Sequence, residues 1–248
     1  MTEVLQVEGL KKAFGGVQAV ADVSFAVAAG ELLAMIGPNG AGKSTCFDML
    51  NGQLAPDQGV VRLGGRDIVG LPPRAVWRLG VGRTFQITAT FASLNVRENV
   101  QMALYAHAGH LRSLLRRFGA ALRPEADALL SQVGMLDQAD RVCGVLAYGD
   151  LKRVELAMAL ANEPRLLLMD EPTAGMAPRE RVALMELTSR LARARQIAVL
   201  FTEHDMDVVF GQADRIIVLD RGRVIAAGLP DEVRANADVR AVYLGGTQ

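Results

Sequence analysis

The stretch from Gly37 to Thr45 constrains this chain more than any other. Gly37-Pro38-Asn39-Gly40-Ala41-Gly42-Lys43-Ser44-Thr45 fits G-x-x-x-x-G-K-[ST] and follows an apolar run, Leu32 to Ile36, that reads as a buried strand. Strand, glycine-rich loop and helix in that order form a phosphate-binding unit of an α/β fold. The glycines let the backbone wrap around phosphates with its N–H groups inward, and the helix opening near Lys43 adds the positive end of its dipole. Lys43 supplies a mobile positive charge for the β and γ phosphates, and the Ser44 hydroxyl can ligate Mg²⁺. A nucleoside triphosphate is the expected ligand.

Half of the 248 residues are apolar, enough for a substantial core in one large domain or two small ones. Lys plus Arg, 27, balance Asp plus Glu, 27, so no basic excess argues for nucleic acid and no nucleic-acid partner is expected. No apolar run approaches the length needed to cross a bilayer, and Met1-Thr2-Glu3 lacks the basic and apolar start of a secretory signal, so a cytoplasmic location is expected. Cys46 and Cys143 sit in no metal-ligand spacing and read as packing residues in a reducing compartment. Cys46 lies near the start of the phosphate-binding helix, where a thiol pKa can fall; oxidation sensitivity is the alternative reading there.

Residues 1–30 alternate apolar and polar, with Gly15-Gly16 and Ala29-Gly30 as turns, which predicts a small antiparallel β layer. The phosphate-loop helix should end near Asn51-Gly52, and 59–65 reads as a hairpin strand and turn. Residues 96–161 are rich in Ala, Leu and Arg, a candidate helical subdomain. The α/β pattern resumes with a strand over 166–169, a helix over 178–193, a strand over 197–202, and strands 216–219 and 223–227 paired across Asp220-Arg221-Gly222. No second phosphate loop or internal repeat is visible, which gives one nucleotide site per chain.

Arg165 to Glu171 is an apolar strand ending in two carboxylates, which places both at the carboxyl edge of a parallel sheet, where α/β proteins bind ligands. Asp170 should face the metal. Glu171, one residue beyond, can align and deprotonate the water that attacks the γ-phosphate.

Further segments follow a recognisable order: Phe14 before Gly15-Gly16, then Gly37 to Thr45, Gln86 in Thr84-Phe85-Gln86, Leu146-Ala147-Tyr148-Gly149-Asp150, Asp170-Glu171, and His204 in Thr202-Glu203-His204-Asp205. In this order the chain resembles the nucleotide-binding subunits of ABC transporters over essentially its full length. The opening at Phe14, Tyr148-Gly149, Ala174-Gly175-Met176-Ala177-Pro178 and the ending Val242-Tyr243-Leu244-Gly245 look most like the branch serving branched-chain amino acid uptake.

The resemblance implies a P-loop ABC-type nucleotide-binding domain with a mostly parallel core sheet, an N-terminal antiparallel β layer and an α-helical subdomain. Residues 1–86 and 162–248 would form the β layer and nucleotide core, and 87–161 the helical part. It implies an ATPase using ATP and Mg²⁺. Phe14 would stack on the adenine. Ser44, Gln86 and Asp170 would serve the metal, Gln86 reaching either Mg²⁺ or the attacking water. His204 would contact the γ-phosphate and help place Glu171, completing a catalytic set of Lys43, Gln86, Glu171 and His204. Ala147, Tyr148, Gly149 and Asp150, ahead of a helix expected over 151–160, would bind the γ-phosphate held by an opposite subunit.

Two chains, identical or paralogous, would then sandwich two ATP molecules head to tail. Closure would move transmembrane permease subunits at the cytoplasmic face of the inner (plasma) membrane, received in a groove at 87–99, with Phe91 and Leu94 either apolar contacts there or core residues. A solute-binding protein would be involved only indirectly. Because the cargo never touches this chain, the sequence does not select the solute, and export, lipid or urea/amide transport remain alternatives.

The signature segment departs from the family form, which begins Leu-Ser and ends Gly-Gln: Ala147 replaces Ser and Asp150 replaces Gln. A hydrogen bond to a charged group is worth about 1.5–3 kcal/mol, so the closed dimer is expected to be weakened tenfold or more, with turnover retained. Asp150 suits a helix N-terminus but adds negative charge near a phosphate. A soluble ABC ATPase acting on DNA or ribosomes would carry two nucleotide domains or long coiled-coil insertions, and this chain has neither. A small-molecule kinase would have no use for the signature and His204. His107 and His110 match no motif and are expected to be solvated. The basic segment 110–118 reads as a solvated helix or loop, with lipid headgroups or a partner subunit as the alternative. Trp77, in a short helix over 74–79, is given no function.

Overall fold

The computed structural model describes residues 2–84, 90–108 and 122–244. Strands β1 (Glu3–Phe14) and β2 (Val17–Ala28) form a hairpin whose turn residues, Gly15 and Gly16, both have positive φ. β3 (Leu32–Ile36) leads through the glycine-rich loop into α1 (Lys43–Leu50). β4 (Gln58–Leu63), β5 (Arg66–Asp67), α2 (Pro73–Arg78) and β6 (Val81–Thr84) follow. Three helices, α3 (Val96–His107), α4 (Arg123–Gln132) and α5 (Tyr148–Leu160), pack on one another. The chain continues through β7 (Leu166–Asp170), α6 (Pro178–Arg195), β8 (Ala198–Thr202), α7 (Met206–Gln212), β9 (Arg215–Asp220), β10 (Arg223–Gly228), α8 (Pro230–Ala235) and α9 (Ala237–Leu244).

Two sheets result. The first is antiparallel, in the order β2-β1-β4-β5; the second runs β10-β9-β3-β8-β7-β6 and is parallel except for β10 at its edge. Strands of a parallel sheet covered on both faces read as unbroken apolar runs, and period-two alternation divides their side chains between the two sides. Leu33, Met35, Leu166, Leu168, Leu200 and Leu219 join the core shared with the β layer and with Phe47 and Leu50 of α1. Leu32, Ala34, Ile36, Leu167, Met169 and Phe201 join the opposite core, which holds the buried faces of α3, α4, α5, α6 and α7. Burying each large side chain contributes about 1.5–3 kcal/mol.

The order β3-β8-β7-β6 sets four carboxyl ends side by side on one sheet edge. The glycine-rich loop, Thr202, Asp170 and Thr84 therefore share that edge, and Asp170 lies in register with Thr202.

One expectation changes and two readings are sharpened. The helix after the signature begins at Tyr148 rather than Leu151, with Ala147 as its extended N-cap (φ −64°, ψ 151°), so Tyr148, Gly149 and Asp150 form its first turn. Cys46 does not have a lowered pKa: it is fully buried in the core beneath α1, and desolvation pushes its thiol up to about 12, outweighing the helix dipole. His107 is exposed as expected, yet its Nδ1 is 2.8 Å from Asn162 Oδ1 and its ring meets Trp77 edge-on at 6.0 Å.

Candidate functional site

Sharp backbone reversals shape the loop between β3 and α1. Gly40 and Gly42 have φ of 80° and 104°, in the left-handed region that favours glycine. Gly42 must also be glycine for room, because a Cβ there would meet Ala19 O at 2.5 Å. Gly42 caps α1 without any side-chain hydrogen bond, so no side-chain acceptor covers the first N–H groups of the helix. Lys43 is buried, and its Nζ donates to Gly37 O (2.7 Å) and Pro38 O (3.2 Å), closing the loop on its own lysine. Burial lowers the Lys43 pKa, against the opposing pull of the Glu171 and Asp170 charges. Pro38 and Thr45 are half-buried, Asn39, Gly40 and Ser44 exposed, and Ala41 buried.

Across the edge, Asp170 ends β7 and Glu171 turns out of it with φ 48°. Glu171 Oε1 is 2.9 Å from His204 Nε2, which follows β8. Each residue from 202 to 205 is tied to the segment that follows β7. The Thr202 hydroxyl donates to Asp170 Oδ1 (2.7 Å), and Glu171 N–H donates to that hydroxyl (3.1 Å). The buried Glu203 carboxylate accepts from Thr173 N (2.9 Å) and Thr173 Oγ1 (2.7 Å). Asp205 pairs with Arg181 (2.6 Å), whose Nε donates to Met176 O (2.7 Å). Arg83 Nη2, on β6, lies 3.8 Å from Asp170 Oδ2. Sequence reasoning singled out His204 and the acidic pair but missed Thr202, Glu203 and Arg181. A polar residue closing an apolar strand was the one signal available for Thr202.

The remaining predicted residues lie elsewhere. Phe14, at the tip of the β1–β2 hairpin, is 49% exposed, so it is not a core residue, and Lys12 Nζ sits 5.7 Å from its ring centre. Ala147 and Tyr148 are exposed, Gly149 is buried, and Asp150 accepts from Gln138 Nε2 at 3.1 Å. Among the described residues, no hydrogen bond or ion pair joins 147–150 to 37–45. Gln86, His110, 110–118 and the first part of 87–99 fall outside the described residues.

One sheet edge thus offers N–H groups and a lysine to phosphates, with a carboxylate and an imidazole beside them to hold a water. That chemistry defines a nucleotide-hydrolysing P-loop protein. The sequence pattern of the ABC transporter family matches residues 20–174, and that of the branched-chain amino acid ATP-binding cassette transporter matches 223–247. The chain belongs to the ABC transporter family, as an ATP-binding, ATP-hydrolysing subunit. It is 40% identical to the high-affinity branched-chain amino acid transport ATP-binding protein LivG of Salmonella typhimurium, over 98% of both chains. It is 39% identical to BraF, of the same description, from Pseudomonas aeruginosa, again over 98% of both. A solved ATP-binding cassette of an ABC transporter in its ADP conformation superposes with a TM-score of 0.88 at 30% identity, covering 99% of this chain and 100% of that one. No helix among the described residues is long and apolar enough to cross a membrane.

Proposed function

We propose that this chain powers the import of branched-chain or related amino acids, working as a head-to-tail pair beneath permease subunits on the cytoplasmic face of the plasma membrane. The match of 223–247 and the likeness to LivG and BraF support that cargo over export, lipid or urea transport. The observation that carries the mechanism is the 2.9 Å contact between Glu171 and His204 on the sheet edge that also carries the glycine-rich loop. Glu171 takes the proton from the water that attacks the γ-phosphate, and His204 holds that carboxylate in place and contacts the phosphate. Lys43 exchanges its two carbonyl partners for β and γ phosphate oxygens. Residues 37–45 cradle the phosphates, and Phe14, free of the core, stacks on adenine.

The oxygens of Ser44 and Asp170, with Gln86 in the same role by resemblance, suit Mg²⁺. Among the described residues no cluster of three or more His, Cys, Asp or Glu could hold a metal alone, and Mg²⁺ characteristically keeps waters and phosphates as its other ligands. Bound there, Mg²⁺ would neutralise charge developing on the phosphates.

Ala147, Tyr148, Gly149 and Asp150 present the first turn of α5 to the γ-phosphate held by the partner subunit. We divide the chain into a core of 1–86 and 162–248 and a helical part of 87–161. The exposed Phe91 contributes to the permease groove. The deciding measurement is the mass of Glu171→Gln by light scattering, with and without Mg-ATP. An ATP-dependent dimer with turnover reduced by about 10²–10⁴ is expected. A monomer that still binds ATP would mean that the altered signature is too weak alone and that the permease subunits must supply the rest of the closure energy.

A further inference from the structure

We propose that Thr202 is a positioning residue for ATP hydrolysis, one hydroxyl aiming both carboxyl-bearing residues of the site. This rests on the reading of Asp170 as the metal-facing residue and Glu171 as the base. Thr202 is fully buried and ends a strand that is otherwise apolar, Ala198 to Phe201. A buried hydroxyl is unfavourable unless its donor and acceptor are both used, and here both are. Its single proton goes to Asp170 Oδ1 at 2.7 Å, and its oxygen accepts Glu171 N–H at 3.1 Å. The Thr202 carbonyl shares that N–H at 3.2 Å.

Both partners need such a hold. Asp170 has a competing attraction, since Arg83 Nη2 stands 3.8 Å from Oδ2 and draws the carboxylate the other way. Glu171 has φ 48°, a conformation disfavoured for any residue with a Cβ, which persists only where its surroundings over-determine it. Thr202 fixes its N–H, and His204 fixes its side chain at 2.9 Å. Removing the hydroxyl deletes the donor that orients Asp170 and leaves the Glu171 N–H to the Thr202 carbonyl. Because Asp170 and Thr202 are register partners on β7 and β8, no other side chain of β8 stands opposite Asp170 to take over.

The test compares Thr202→Val, Thr202→Ala and Thr202→Ser with the parent and with Asp170→Asn. Turnover, thermal unfolding, and affinity for a fluorescent ATP analogue in Mg²⁺ and in EDTA are measured on the full chain. Valine keeps the shape without the hydroxyl; alanine replaces it if the extra methyl does not fit. Either should cut turnover about tenfold or more and lose a similar factor of the Mg²⁺-dependent gain in affinity, leaving affinity in EDTA near the parent value, while the melting temperature falls with the lost buried hydrogen bonds. Serine should restore both to within about twofold. Parent-like Mg²⁺ dependence in valine and alanine, no rescue by serine, or equal losses in Mg²⁺ and EDTA would each overturn the proposal. Asp170→Asn separates the causes. If it also keeps the parent's Mg²⁺ dependence, the metal reading of Asp170 fails; if it loses that dependence while valine does not, only the role of Thr202 fails.

Discussion

The glycine-rich loop and the signature segment each end at a helix N-terminus, but the chain finishes only one of them. At α1, backbone packs tightly around the loop: a Cβ on Gly37 would meet Leu219 O at 2.2 Å. Lys43 fills the centre with two hydrogen bonds. At α5, Ala147 caps without a side-chain bond, Val145 is 68% exposed just before it, and Asp150 is turned toward Gln138. α3, by contrast, closes its own first turn with a full capping box between Asn95 and Glu98. The difference teaches that the α1 loop is assembled within the subunit, whereas the start of α5 leaves Ala147 and Tyr148 exposed, as the proposed contact with a partner subunit requires.

The largest expected effect breaks the finished side. Lys43→Ala removes the only side-chain cation among the described residues that is bonded within the loop and should weaken ATP binding about a hundredfold, since hydrogen bonds to charged groups are worth about 1.5–3 kcal/mol each. Equilibrium titration with a fluorescent ATP analogue measures it. Affinity within a fewfold of the parent would mean that the backbone N–H groups of 37–45 bind the phosphates without Lys43. The same variant should leave the fold around α5 untouched, which amide exchange in 147–160 can establish.

How far the site was legible in the sequence follows the same division. The phosphate loop and Asp170-Glu171 are contiguous, so local spacing reveals them, and β3, β7 and β8 declare themselves as apolar runs. Thr202 with Asp170 and Glu203 with Thr173 are pairs separated by 32 and 30 residues. They exist only because β7 and β8 are neighbours in a particular register, which no local pattern encodes. The start of α5 was misplaced because Gly149 and Asp150 are poor helix formers in isolation, while Asp150 in a first turn complements the dipole once the helix is packed. Cys46 shows two principles in competition: the helix dipole was readable from position, but the desolvation that overrides it belongs to the core.

The next effect sharpens the unfinished side. Ala147→Ser puts a hydroxyl at an N-cap whose backbone is already extended, so it should stabilise the nucleotide-free subunit by about 1 kcal/mol through the cap. Its proton stays available to a phosphate, so ATP-dependent dimerisation should tighten about tenfold or more. Melting without nucleotide reads the first effect, and light scattering against ATP concentration in a Glu171→Gln background reads the second. A rise in melting temperature with unchanged dimerisation would show that residue 147 serves only its own helix.

The smallest effect lies beside His204. Asp205 caps α7 by accepting from Asp207 N (3.0 Å) and Val208 N (3.3 Å), and it pairs with Arg181 at 2.6 Å. Burial pushes its carboxyl up, but Arg181 and the two N–H groups outweigh this and hold it below the usual range. A depressed folded pKa means that the stabilisation is fully present above the unfolded value of about 3.9 and is lost as pH falls through the folded value. Asp205→Asn keeps an acceptor for the cap but forfeits the charge, so the cost at pH 7 should be about 0.5 kcal/mol, or about 1–2 °C in melting temperature. At an acid pH below the folded pKa the parent carboxyl is protonated and the two proteins should melt closer together. A difference of equal size at both pH values would mean that the Asp205–Arg181 charge pair contributes nothing, and that the loop after Glu171 is held by Glu203 and by the Arg181 bond to Met176 O alone.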